Sequence, residues 1–134
     1  MGGDLIYDPQ ESVSLEGNSG PYLQYAHARA RSILSKAKNE ERSTKNHEFD
    51  KAERSLARKI SEFPEVVDHA VAELMPHHIA TYLYELAQAF NRFYEHNRVI
   101  DNERQAIRLG LVEHYANRLK QGLDLLGISA PDRM

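Results

Sequence analysis

Tyr22, Tyr25 and Arg29 stand three and then four residues apart in "PYLQYAHARARSIL", and Asn91, Tyr94 and Arg98 repeat that spacing in "NRFYEHNRV". Steps of three and four place side chains on one face of a helix. At 100° per residue from Tyr22, Tyr25, Arg29 and Lys36 fall near about 300°, 340° and 320°, while Leu23, Ala26, Ala30, Ile33, Leu34 and Ala37 fill roughly 20° to 120°. Each helix thus carries an apolar packing arc and, at its margin, a stripe of tyrosine and arginine. Tyr84 lies on the second stripe, with Asn91. Tyrosine rings and guanidinium planes are the groups on which unpaired RNA bases stack, each base contributing about 1–3 kcal/mol, while asparagine reads base edges. The same placement also serves a tyrosine that only buries its ring and wets its hydroxyl, or a helical module that docks a protein partner or a second copy.

Other chemistries find little support. The chain has no cysteine, so it has no disulfide framework, thiolate metal site or cysteine nucleophile. Seven histidines include the pair His77–His78, but adjacent helical residues point about 100° apart, and no H-E-x-x-H spacing occurs. They read as first-turn polar residues after Pro76, and no metal is expected. No phosphate-binding glycine loop or nucleophile elbow is present.

With 134 residues, 41% hydrophobic and 28% charged, the composition fits one globular domain. No apolar run is long enough to span a membrane, and the N-terminus lacks the regions of a signal peptide, so a cytoplasmic protein without membrane partners is expected. The opening "MGG" reads as an engineered start on a piece of a longer chain. The net charge of −3 is unevenly spread: four acids and no Lys or Arg in residues 1–20, ten basic against five acidic in 21–60, and seven against eleven in 61–134. A locally basic segment inside a mildly acidic chain suits a small, directed contact with RNA.

Periodicity predicts an all-α fold, an antiparallel bundle of about five helices. Residues 1–20 read as a leader and 21–134 as the helical domain. The first helix is expected from Pro21 to Lys38 and a loop at 39–46. A second helix over 47–62 carries Phe49, Ala52, Leu56 and Ile60 inward, with Phe63 just beyond. Pro64 opens a short third helix with Val67, Ala70, Val71 and Leu74 as its apolar set. Pro76 opens a fourth over 77–98, with Ile79, Leu83, Leu86, Phe90 and Phe93 inward. Asp101 or Asn102 caps a fifth that buries Ile107, Leu111, Tyr115, Leu119 and Leu126 and stops at Gly127.

The ordered blocks "GNSGPYLQYAHAR", "PHHIATYLYELAQAFNRFYEHNRV" and "RLGLVEHYANRLKQGLDLLGISAPDRM" resemble the C-terminal anticodon-binding domain of arginyl-tRNA synthetase over nearly the whole chain. The resemblance implies an all-α module, a monomer, that grips the anticodon stem-loop of arginine tRNA. Its implied contacts are Tyr22, Tyr25, Arg29 and Tyr94, with the terminal Met134 packing near a loop base; Arg98 matches a position that is aromatic in some relatives. The parent enzyme would charge tRNA with arginine using ATP and Mg in a separate catalytic domain of the same polypeptide. Its H-x-G-H and K-M-S-K-S type motifs are absent here, so this fragment is expected to hold no cofactor and to catalyse nothing.

Overall fold

The computed structural model describes residues 19–37 and 49–132. Among the described residues, five α-helices run in order: α1 (Ser19–Lys36), α2 (Lys51–Ser61), α3 (Phe63–Ala72), α4 (His77–His96) and α5 (Gln105–Leu125). Only Glu62, itself in right-handed helical geometry (φ −73, ψ −13), separates α2 from α3. Pro64 in the first turn of α3 lacks the N–H that would have continued the α2 ladder. The two segments therefore make one bent rod, and the bundle consists of four rods.

Side-chain pairings set the directions. Leu83 packs on Gly122 and Phe90 stacks on Tyr115 at 4.2 Å, so α4 and α5 run antiparallel. Arg31 bonds Asn117 while Gln24 reaches Ser129, which makes α1 antiparallel to α5. Lys59 pairs with Glu85, and Ala52 shares a groove with His96, so α2 opposes α4. Up, down, up, down is the resulting order. A β-carbon on Gly122 would sit 2.6 Å from Leu83 Cδ2. The missing side chain is what lets α4 and α5 close on each other.

The core largely follows the expected arcs for α1, α2 and α4: Leu23, Ala30, Ile33, Leu34, Leu56, Ile60, Ile79, Leu83, Leu86, Phe90 and Phe93 are buried, whereas Ala26, Ala52 and Phe49, the last ahead of α2 rather than in it, are only partly so. In α5, Leu111, Tyr115 and Leu119 are buried, whereas Ile107 and Leu126 are only partly so. Neither Asp101 nor Asn102 is the cap residue of α5, which is Arg104. Asn102 Oδ1 accepts the Arg104 N–H at 2.8 Å, forming a local turn just ahead of the helix, and Asp101 is left-handed (φ 59). The inward set of α3 needs correction. Ala70 is buried, but Val71 and Leu74 are 65% and 86% exposed. Val71 points about a quarter turn away from Ala70. Leu74 lies past the helix end, where helical phase no longer applies.

Helices α3 and α5 end in the same way. Gly127 N–H bonds Asp124 O and Ile128 N–H bonds Leu123 O; Leu74 N–H bonds Val71 O and Met75 N–H bonds Ala70 O. Both are Schellman closures, which need a left-handed residue. Gly127 (φ 75) adopts that conformation freely, but at Leu74 (φ 57) the side chain crowds the carbonyl.

A buried ion cluster ties two helix starts together. Asp50 caps α2 in a reciprocal capping box with Glu53, Oδ1 accepting the Glu53 N–H at 2.8 Å and Glu53 Oε1 accepting the Asp50 N–H at 2.9 Å. The Glu53 carboxylate is fully buried and accepts from Arg104 Nε (2.6 Å), Arg104 Nη2 (2.6 Å) and Arg108 Nε (2.7 Å). Burial alone would raise this carboxyl, but the bonds from Arg104, Arg108 and the Asp50 backbone override it and hold it at about 2.

Two outcomes are expected in denaturant unfolding. Glu53→Gln leaves two arginines short of their counter-charge and lowers stability by about 3–5 kcal/mol. In the parent chain, the contribution of Glu53 is complete above its ordinary value of 4.5 and is lost as pH falls from there towards about 2, so the variant has a flatter acid limb. Conversely, Leu74→Gly raises stability by about 0.5–1 kcal/mol, because a left-handed residue with an exposed side chain loses little by truncation.

Candidate nucleic-acid interface

Helices α1 and α4 run the same way and bring their polar margins together. Tyr22 packs on Tyr84 with ring centroids 5.3 Å apart and planes tilted by 47°. Asn91 Nδ2 lies 3.5 Å from the Tyr22 hydroxyl, and Asn91 Oδ1 accepts from Arg29 Nη1 at 3.4 Å. The Arg29 guanidinium sits over the Tyr94 ring at 5.4 Å. Tyr94 in turn stacks on Phe90, which stacks on the buried Tyr115. One continuous chain of contacts therefore runs from a solvent-facing cation down to the bundle core.

The layers differ in strength. Core rings are close and buried, whereas the two Asn91 hydrogen bonds are long and weak by the geometry of such bonds. A ligand edge that offers a shorter partner displaces them at little cost. Arg29 is exposed and Tyr22, Asn91 and Tyr94 are half-buried, with Phe90 and Arg29 both packed on the Tyr94 ring, so the part of this cluster most open to solvent is the Arg29 guanidinium. Burial, then the neighbouring Tyr84, raise the Tyr22 phenol above its ordinary value against the opposing effects of Asn91 and Arg29. Tyr22 stays neutral, able both to donate and to accept.

Of the residues expected at the site, Tyr22, Arg29, Asn91 and Tyr94 converge. Tyr25 extends the same face of α1 and is 59% exposed. Lys36 is exposed at the last position of α1, two turns beyond Arg29. Arg98 departs from the stripe: α4 ends at His96, Asn97 turns extended (φ −138, ψ 118), and the Arg98 side chain donates to Ile100 O at 3.0 Å. Helical spacing from Tyr94 does not carry past that break. Met134 lies outside the described residues. Tyr84 joins the cluster by packing on Tyr22, and its seven-residue step to Asn91 is the signal of it in the sequence.

On another side of α1, Gln24 and His27 hold the C-terminal segment. Gln24 Nε2 donates to Ser129 O at 2.9 Å, and His27 Nδ1 lies 2.9 Å from Pro131 O. A carbonyl only accepts, so Nδ1 carries the proton and the buried Nε2 is left with no hydrogen-bond partner. Burial lowers the His27 pKa, with Arg31 and Lys120 adding to that and Pro131 and Asp132 opposing it. The spacing gave no hint of this role.

Among the described residues, no group of three or more His, Asp or Glu side chains is placed to hold a metal, and no helix is long and apolar enough to cross a membrane. His77 and His78 stack on each other at 4.6 Å, and His78 Nε2 lies 3.1 Å from Met75 Sδ.

Comparison with known proteins places this surface in context. Residues 23–134 match the family model described as the DALR anticodon binding domain. Curated relatives include the arginine–tRNA ligases of Ligilactobacillus salivarius, 43% identical over 96% of this chain and 23% of that protein, and of Pyrococcus abyssi, 44% identical over 97% and 22%. Among solved structures, the Thermus thermophilus arginyl-tRNA synthetase superposes with a TM-score of 0.78 at 41% identity, covering 93% of this chain and 23% of its own. The Plasmodium falciparum arginyl-tRNA synthetase gives 0.73 at 28% identity, covering 96% and 23%. This chain spans under a quarter of the length of each of these relatives.

Because Tyr25 and Arg29 stand outside the packing arc, replacing either with alanine is expected to change unfolding free energy by no more than about 0.5 kcal/mol. Urea midpoints of the two variants against the parent chain check this.

Proposed function

The chain belongs to the DALR anticodon-binding domain family, and from that premise we propose that it recognises the anticodon loop of arginine tRNA for a class I arginine–tRNA ligase. The observation that carries this reading is the convergence of Tyr22, Arg29, Asn91 and Tyr94 on one seam between α1 and α4. Bases splayed from the loop stack on Tyr22 and Tyr25 and over the Arg29–Tyr94 pair. Arg29, its guanidinium 5.4 Å from the Tyr94 ring centroid, supplies a stacking plane as well as charge. Asn91, with both amide atoms loosely engaged, exchanges those bonds for a base edge. Lys36 meets phosphates further along α1.

The domain positions and selects its RNA, and the chemistry belongs to the rest of the ligase. There, ATP with Mg activates arginine, which is then joined to the tRNA. None of the catalytic motifs of that reaction stands in this sequence, and the module is proposed to work without a cofactor of its own. Its partners are the arginine tRNA anticodon stem-loop and the catalytic domain of the same cytoplasmic, monomeric polypeptide. Arginine tRNAs share a cytosine at the middle anticodon position, and that base is the one this surface reads.

Titration of arginine and non-arginine anticodon stem-loops at low salt tests the reading, with the arginine loops expected to bind at least tenfold more tightly. Loss of one stacking ring in Tyr94→Ala weakens binding by about 5- to 150-fold, the equivalent of about 1–3 kcal/mol. Three phosphate contacts would reduce affinity about fourfold for each doubling of salt. Equal affinity for all loops, or affinity indifferent to salt, contradicts it; the latter result favours a protein-docking module.

A further inference from the structure

Past the end of α5 the chain folds back along α1 and is held there by one stripe of that helix. Gly20, Gln24, His27 and Arg31 follow one another at steps of four, three and four, so they share a face. The Ile128 side chain lies over Gly20, where a β-carbon would sit 3.7 Å from Ile128 Cδ1. Gln24 Nε2 donates to Ser129 O, and His27 Nδ1 donates to Pro131 O, each at 2.9 Å. The step from Gly20 to His27 rises about 10.5 Å, and the step from Ile128 to Pro131 covers about 10 Å of extended chain, so helix and segment stay in register. Residues 128–132 are thus a strap laid along α1, with Ile128 and Ala130 partly buried against the core and Ser129 and Asp132 exposed.

The tie nearest the end of this strap is a group that titrates. His27 is fully buried, and its Nε2 has no hydrogen-bond partner. A neutral ring with its proton on Nδ1 suits that place. A charged ring carries a second N–H, at Nε2, and a buried charged donor without an acceptor is costly. Among the described residues, Arg31 on α1 and Lys120 on α5 face the ring with like charge, and Asp132 on the strap opposes them. Burial is the largest influence and lowers the His27 pKa, with the Pro131 carbonyl and Asp132 offsetting only part of it.

Of the three elements around the ring, one can leave without breaking the core. Helices α1 and α5 are locked by Leu23, Ala30, Leu119 and Leu123, all buried. The strap is tied by the side chains of Gln24 and His27 and by two partly buried apolar residues. We propose that residues 128–132 form a pH-operated strap, held on α1 while His27 is neutral and released by its protonation while the helical bundle stays folded. A released imidazole has the ordinary value of 6.5 and the held one a lower value, so release takes up a proton. The strap is therefore most firmly held above 6.5, and below it the ratio of released to held chains rises by up to about tenfold per pH unit until the held ring itself is charged. The strap works in the same way whether or not the α1–α4 seam binds RNA.

Backbone heteronuclear NOE values and the His27 ring resonances of the isotope-labelled 134-residue chain are followed from about pH 8 to about pH 5, the range in which histidine titrates. Ser129, Ala130 and Asp132 are expected to be as rigid as α5 at the upper end and to become mobile as pH falls below 6.5, while α4 and α5 stay unchanged. His27→Gln keeps an N–H for Pro131 O and cannot titrate, so its strap is expected to stay rigid across the range. Gln24→Ala removes one tie and moves the release midpoint to higher pH. A strap that loosens alike in His27→Gln and the parent chain, that is already mobile at the upper end, or that stays rigid throughout overturns the proposal. Loosening of α4 and α5 together with the strap also overturns it. Should His27→Gln fail to fold, the Gln24→Ala midpoint decides, and a midpoint that does not move counts against the strap.

Discussion

The buried carboxylate of Glu53, gripped by Arg104 and Arg108, is the constraint from which the rest of the arrangement follows. It joins the first turn of α2 to the start of α5, while Arg108 also donates to the carbonyl of Arg98 in the connection after α4. Three elements are thereby registered at one end of the bundle by a few short bonds. At the other end, Gly122 lets α5 close on Leu83 of α4. With both ends of the α4–α5 pair fixed, α1 has one groove to occupy, and occupying it brings Tyr22 beside Tyr84 and Arg29 over Tyr94. A buried charge pair is not by itself a source of stability, since desolvation offsets most of its attraction. What the cluster does visibly is join α2, α5 and the connection after α4 at one end of the bundle.

Stiffness below and looseness above is the logic of the surface. Tyr115, Phe90 and Tyr94 form a stack that descends into the core, so the top ring is held in place before anything arrives. Pre-organised aromatic faces lose little entropy on binding. Arg29 and Asn91, in contrast, are joined by one long bond, and Asn91 reaches Tyr22 by another. Polar groups that satisfy each other weakly remain hydrated in the free protein and change partners easily.

Much of this was legible in the residues. Proline at 21, 64 and 76 marks helix starts because a missing N–H is harmless there, and the Ile79-to-Phe93 stripe of α4 is fully buried. The Tyr22–Arg29 and Asn91–Tyr94 stripes lie where helical phase puts them, and the structure adds that they face each other. Phase failed where a helix stopped. Arg98 and Leu74 both lie past an end, in backbone that no longer turns by 100° per residue. The Glu53 cluster was illegible for a different reason: its carboxylate and its arginines stand 51 and 55 residues apart, and a local pattern shows Glu53 only as one more polar residue of an exposed helix. His27 was hidden likewise, because its partner Pro131 lies 104 residues away.

The most direct measurement is an amide and side-chain NMR titration of the isotope-labelled chain with an arginine anticodon stem-loop. If the seam between α1 and α4 is the reading surface, the largest shifts fall on Tyr22, Tyr25, Arg29, Asn91 and Tyr94, while Val71, Leu74 and the Glu53 cluster stay put. Shifts centred on the α3–α4 corner, or spread evenly over the bundle, would contradict the account.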